Sequence, residues 1–276
     1  MNVADRQKPA PGELFVDHVA HFVADLDAAA RVFESVGMKV TATAVHQTQD
    51  GPAGTSNRCV MLEEGYIELL SPTHDTPIAN RVRALMARYD GVHLMCYGTP
   101  DAEAEHRRLA AHGFEPQPLI DLSRNDGTVR FKVVRLAPEK MPEGRIQYVE
   151  HGTPEQIWHA EDVNPLRLEE VFVVAKNPVE AAARWARFAG AIPTALRDGV
   201  QLETARGRIF IGKRTAVAKR FGAAPAAPAI AGYALACRHP EKLAARCREA
   251  GIKVQKHGKR YSATLPKTLG GAWLFG

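Results

Sequence analysis

Four cysteines in 276 residues, Cys59, Cys96, Cys237 and Cys247, include no C-x-x-C pair, which argues against a disulfide framework and a zinc knuckle alike. No apolar run approaches the roughly 20 residues needed to cross a bilayer. The opening stretch MNVADRQKPAPGELF lacks the basic, apolar and small-residue order of a secretory signal. Composition is ordinary, with 45% hydrophobic and 24% charged residues, so disorder, collagen and coiled coil are excluded. The expectation is a cytoplasmic globular protein without a membrane partner, long enough for two domains.

A strong net charge is also missing, since the chain sums to only +5. That balance hides an asymmetry: residues 1–165 sum to −8 and residues 166–276 to +13. Opposed halves imply docking on each other or on copies of themselves, which allows a homodimer. Basic residues form tight clusters only at Lys213-Arg214, Lys219-Arg220 and Lys256 to Arg260. So dispersed a pattern reads as a solvated face rather than a nucleic-acid surface.

What is present is a repeat. One order of elements, a strand, a helix and then two or three strands, returns four times. The opening strands are Leu14 to Ala24, Val92 to Tyr97, Leu168 to Ala175 and Ile230 to Cys237. Helices come after them, with Asp25 or Asp27 placed to cap the first, and Gly37, Gly113 and Gly251 placed to stop three of them. Ala28-Ala29-Ala30-Arg31 reappears 153 residues later as Ala181-Ala182-Ala183-Arg184. The longer connection GTPEQIWHAEDVNPL divides modules two and three, and AAPAAPA links three and four.

Polar residues inside apolar strands carry the chemistry. Strand alternation puts His18 on a face with Val16, Ala20 and Phe22. Glu68 lies in Gly65-Tyr66-Ile67-Glu68-Leu69-Leu70 and His93 in Gly91-Val92-His93-Leu94. A buried carboxylate requires a cation or a proton, and imidazoles with carboxylates aimed at one point make a metal site. The strand Arg145 to His151 offers Gln147 or Glu150 as a fourth ligand. The second half supplies a control: the 153-residue spacing sets Val171 opposite His18, while aligned glycines set Phe210 opposite Glu68 and Ala234 opposite His93. One half has ligand candidates and the other has none.

The paired modules resemble the vicinal oxygen chelate superfamily, the glyoxalase fold. The resemblance rests on Asp17-His18-Val19, on Ile67-Glu68-Leu69 and on His93 following Gly91. Gly54-Thr55-Ser56-Asn57, Tyr66-Ile67-Glu68-Leu69 and Glu150-His151-Gly152-Thr153-Pro154-Glu155 narrow it to bacterial glyoxalase-like domain proteins. It implies an α+β fold of four βαβββ modules paired into two domains, 1–160 with the site and 161–276 degenerate. It further implies one divalent metal (Zn, Ni, Co, Mn or Fe) held by His18, Glu68, His93 and Glu150. The module-two I-E-L motif is absent; Gln147 stands in its place, and Glu150, which carries charge, is preferred as the ligand.

Such a metal would stabilise an enolate from a small-molecule substrate that chelates through neighbouring oxygens. Glu68 or Glu150 would be the catalytic proton carrier, giving an isomerase, epimerase or lyase. Asn57, Arg58 and Arg130 are placed as substrate-binding residues. His21, His46 and His151 are read as surface or rim residues. Two alternatives remain: extradiol dioxygenation by iron on His18, His93 and Glu150, and a metal-free protein that sequesters a small molecule.

Overall fold

A computed structural model describes residues 3–124 and 127–276. The first module runs β1 (Phe15–Phe22), α1 (Leu26–Ser35), β2 (Ala44–Thr48), β3 (Gly51–Glu64) and β4 (Tyr66–Pro72). A helix α2 (Pro77–Met86) then leads to the second module, β5 (Val92–Gly98), α3 (Ala102–Ala111), β6 (Ile120–Arg124), β7 (Val129–Val134) and β8 (Arg145–His151). The third is β9 (Asn164–Val174), α4 (Pro178–Ala189), β10 (Pro193–Leu196), β11 (Gly199–Glu203) and β12 (Arg208–Gly212), with α5 (Arg214–Phe221) after it. The fourth is β13 (Ala229–Cys237), α6 (Pro240–Glu249), β14 (Lys253–His257), β15 (Arg260–Thr264) and β16 (Ala272–Phe275). The four-module α+β pattern is thus present, and α2 and α5 are additions to it.

Local chemistry sets these boundaries. Asp25, Asp101 and Asn177 accept from the backbone N–H three residues on, capping α1, α3 and α4. The repeated alanines have a packing reason: Ala29 and Ala30 on α1, like Ala181 and Ala182 on α4, are fully buried. Small side chains there let each helix lie close on its sheet.

Pairing makes two different barrels. In the first, β4 and β5 flank β1, β3 and β8 lie outside them, and β2 meets β6 at Gln47↔Ser123 and Thr48↔Leu122. That last contact closes eight strands into a ring. The second eight run in the order β10-β11-β12-β9-β13-β16-β15-β14 and, among the described residues, β10 and β14 do not pair. Their interior is filled by Phe172, Phe210, Leu274 and, from α5, Val217 and Phe221.

The halves share a sheet and a core. Strand β9 runs parallel to β3 at Leu62↔Asn164, and Ile230 pairs with Val92. Buried Glu143 of module two accepts from Trp185 Nε1 at 3.1 Å and pairs with Arg184 of α4. His21, expected at the surface, is buried in this seam between Leu269 O and the Tyr233 hydroxyl, both at 3.1 Å. Among the described residues no helix is long and apolar enough to cross a membrane.

Candidate active site in the first barrel

The closed ring fixes which residues point inward. His18 on β1, Tyr66 and Glu68 on β4, Leu94 on β5, and Arg145, Gln147 and Val149 on β8 line one narrow cavity. His46 on β2, Thr55 on β3, Leu122 and Arg124 on β6, and Phe131, Val133 and Arg135 along β7 and its end line it as well. With its mouth, the cavity encloses about 540 Å³.

Its polar centre is a chain of short contacts. Asp17, fully buried, accepts from His18 Nδ1 at 2.6 Å and from His151 Nε2 at 3.0 Å. With Nδ1 so engaged, the other nitrogen of His18 looks into the cavity, 3.9 Å from Glu68 Oε2. The imidazole stacks on Tyr66 with ring centres 4.3 Å apart, which fixes its plane. Asn57 Nδ2 donates to Glu68 Oε1 at 2.6 Å, and Arg124 Nη1 donates to Asn57 Oδ1 at 3.3 Å.

The electrostatics come from burial set against neighbours. Burial alone would raise the Glu68 carboxyl, but His18, His46, the Asn57 amide and Arg124 outweigh it and hold the group below the usual carboxylate range. Asp17 is held below the usual range too: burial opposes its charge, and His151 and His18 overcome that. Both carboxylates are therefore ionised at neutral pH. Burial pushes the Cys59 thiol up to about 12 and His46 down to about 4, so both are neutral. His46 Nδ1 is within 2.9 Å of Thr55 Oγ1, and its Nε2 is buried without a partner.

Of the expected site residues the structure brings together His18, Glu68 and Asn57. It does not bring in the others. Parity turns Leu94 inward, so His93 faces away from the cavity. Its Nδ1 accepts from Phe22 N at 3.3 Å, its Nε2 donates to Tyr89 O at 2.7 Å, and its ring lies between Phe22 and Tyr89. Glu150 likewise lies on the outer face of β8, where it accepts from Ala102 N at 2.8 Å at the start of α3. Gln147, its passed-over alternative, faces the cavity. Arg58 pairs outside the barrel with Asp27 at 3.1 Å and Glu34 at 3.0 Å. Arg130 is exposed in an outer groove.

Sequence reasoning missed Arg124, Arg135, Arg145, His46 and the Asp17–His151 pair, having read His46 and His151 as rim residues. A signal existed: Val129, Phe131, Val133 and Arg135 alternate on one face, as do Arg145, Gln147 and Val149. The internal control also shifts by one residue. His18 pairs with Tyr66 across β1–β4, and Glu170 with Arg208 across β9–β12, so Glu170 rather than Val171 is the counterpart of His18. Its charge is met by Arg208 at 3.1 Å.

A resident divalent metal does not fit these donors. Asp17 does orient His18 as an outer carboxylate orients a metal-bound imidazole. Catalytic metal sites take about three protein ligands, however, and here His93 and Glu150, the third and fourth expected, face elsewhere, while His46 lines the cavity without joining His18 and Glu68 in a group arranged to hold an ion. Gln147 Oε1 already accepts from Arg135 Nε at 3.2 Å. Among the described residues, no group of three His, Cys, Asp or Glu side chains is arranged to hold an ion.

Comparison with known proteins supports the architecture. The family model described as "Glyoxalase-like domain" matches residues 16–189, spanning the first two modules and entering the third. No curated protein sequence matches the chain. Among solved structures, a hypothetical protein from Staphylococcus aureus is similar with a TM-score of 0.68 at 14% identity, covering 95% of this chain and 98% of that one. The Mn(II)-bound glyoxalase of Novosphingobium aromaticivorans aligns at 0.55 and 12% identity, covering 94% of this chain and 80% of that one. A catechol 2,3-dioxygenase aligns at 0.58 and 15% identity, covering 95% and 87%. At such identities these likenesses speak for the fold alone.

Proposed function

This chain belongs to the glyoxalase-like domain family of the vicinal oxygen chelate superfamily, and from that premise we propose that it is an isomerase- or lyase-type enzyme that moves a proton beside a carbonyl of a small molecule. The observation that carries this reading is the contact chain Asp17–His18–Glu68–Asn57–Arg124 inside a closed barrel.

Each member has a part. Ionised Asp17 holds the proton of His18 on Nδ1 and leaves the Nε2 lone pair toward the cavity, the arrangement a general base needs. His18 Nε2 takes a proton from the carbon next to the carbonyl, and the C–H electron pair moves onto the carbonyl oxygen. Arg124, itself buried, supplies fixed positive charge for the resulting oxyanion. Glu68, ionised and 3.9 Å from His18, stabilises the imidazolium, and His18 Nε2 returns the proton to the substrate at its new position. The expected metal-stabilised enolate, with Zn, Ni, Co, Mn or Fe, is replaced in this reading by Arg124, because the donors around His18 do not complete a metal site. The iron dioxygenase alternative loses its triad, since His93 and Glu150 both face away from the cavity.

The test is deuterium wash-in. Small 2-oxo acids and hydroxyketones incubated with the enzyme in deuterium oxide are monitored by proton NMR. His18→Ala and Glu68→Gln are each expected to slow exchange about 100- to 10,000-fold. Exchange that is indifferent to both substitutions, or ligand binding with no exchange at all, would overturn the proposal. Metal analysis is expected to find far less than one ion per chain; one ion, lost in His18→Ala, would restore the metal route.

A further inference from the structure

Beside the barrel cavity lies a second space. A cleft of about 820 Å³ runs between α2 and the segment joining β7 to β8, and it shares Arg135 and Arg145 with the cavity. Those two arginines stand between the compartments and line both. Beyond them the cleft wall is largely apolar, with Leu85, Leu136, Pro138, Met141 and Ile146.

The charge balance across the two spaces is one-sided. Five arginines line them (Arg81, Arg88, Arg124, Arg135 and Arg145) against a single carboxylate, Glu68. Among the described residues none of the five forms an ion pair. Arg81 donates to the Gln117 amide and Arg88 to the carbonyls of Pro142 and Pro228. Arg135 uses only its Nε, on Gln147, and Arg145 lies over the Phe22 ring at 5.2 Å. Guanidiniums crowded together without a counter-charge are costly, and an anion seated between them relieves that cost. Burial and mutual repulsion show in their acidity: Arg145 is pushed down to about 9, and Arg135, by burial first, to about 10.

We propose that the ligand of this site is an amphipathic anion, its carboxylate or phosphate head held by Arg135 and Arg145 and its apolar body lying in the cleft between α2 and the β7–β8 segment. The geometry couples both halves of the molecule. An anion without a body leaves the apolar wall wet, and a neutral body leaves the arginines unpaired. This substrate class rests on the proton-transfer reading only for the chemistry after binding; recognition itself stands on the arginines and the wall.

Titration calorimetry on the full chain tests it, with octanoate, octyl phosphate, octanol and acetate as probes. Octanoate or octyl phosphate is expected to bind at least tenfold tighter than both octanol and acetate, and the better of the two identifies the head. Arg135→Gln and Arg145→Gln should each weaken that probe about ten- to a hundredfold. Ala84→Asp, a change at an exposed position in the cleft wall, should weaken it about tenfold without touching the two arginines. Equal binding of octanol, equal binding of acetate, or indifference to both arginine substitutions would overturn the proposal. Glu68→Gln separates this from the catalytic reading, since it should bind the probe at least as well as the parent. A probe held by the arginines, with exchange indifferent to Glu68, would sink only the catalytic reading. Exchange that needs Glu68, with no probe bound, would sink only this one.

Discussion

The first barrel is closed and hollow with a polar centre; the second is open-ended and solid. Both are built from two βαβββ modules with the same strand order, so the backbone does not dictate the difference. Side chains at matched positions do. Where the first has Ala20 paired with Glu68, the second has Phe172 paired with Phe210, and α5 sends Phe221 onto Phe172 at 4.7 Å. Aromatic side chains fill volume that the first barrel leaves for a ligand. One copy of the fold keeps a polar cavity, and the other is packed solid along β3, β5 and the shared core.

The sharpest way to break this comparison is Asp17→Ala. In the first barrel Asp17 accepts from two buried imidazoles, and its removal strands His18 Nδ1 and His151 Nε2. Leaving two buried donors without an acceptor costs about 1–3 kcal/mol each, so the urea midpoint should fall steeply. A cost under about 1 kcal/mol, the value of a surface pair, would mean that the polar centre is not held by Asp17.

The matching change in the second barrel is Phe221→Ala. It removes a fully packed ring from the interior and should cost about 3 kcal/mol, near the low end for such truncations because α5 lies at an open rim and can settle. Proton exchange at His18 and Glu68 should be unchanged. An effect on exchange as large as that on stability would show that the two barrels are not separable in function.

How far the molecule is legible without coordinates tracks the same division. Alternating strands, Asx caps and stopping glycines make the four modules readable, because each rests on local backbone preference. His18, Glu68 and Asn57 are readable because polar residues amid apolar alternation must be paired inside. His93 and Glu150 mislead because each sits one residue out of phase with its strand's inward face, and one residue reverses a side chain's direction in a strand. Arg124, Arg135 and Arg145 escape notice for the opposite reason. Arginine in a strand is ordinarily an exposed residue, and only ring closure through β2 and β6 turns these inward. Closure is a long-range event that no local pattern announces. The helices α2 and α5 lie outside the repeat, and they decide which barrel is left with a cleft and which is filled.

The smallest expected effect sharpens the comparison most. Glu170 takes the place of His18 in the second barrel, and its carboxyl shifts opposite to that of Glu68. Burial raises it above the usual range, and Arg208 and Arg260 offset only part of that cost. A carboxyl raised in the folded state is protonated there first as pH falls, so folding gains stability from this group as pH drops toward about 4.5. Above that range the charge is a burden, and Glu170→Gln should change stability at pH 7 by less than about 1 kcal/mol, with no loss expected. Arg208 and Arg260 each retain Glu169 as a partner, at 3.3 and 3.1 Å. Urea midpoints of the two proteins should converge, or cross, between pH 7 and 4.5 as the parent gains on the variant. A variant clearly weaker at pH 7 would make Glu170 a second functional carboxylate rather than a remnant. The charge would then be favourable in both barrels, and the contrast between a kept site and a filled one would fail at the position where it is most exposed to test.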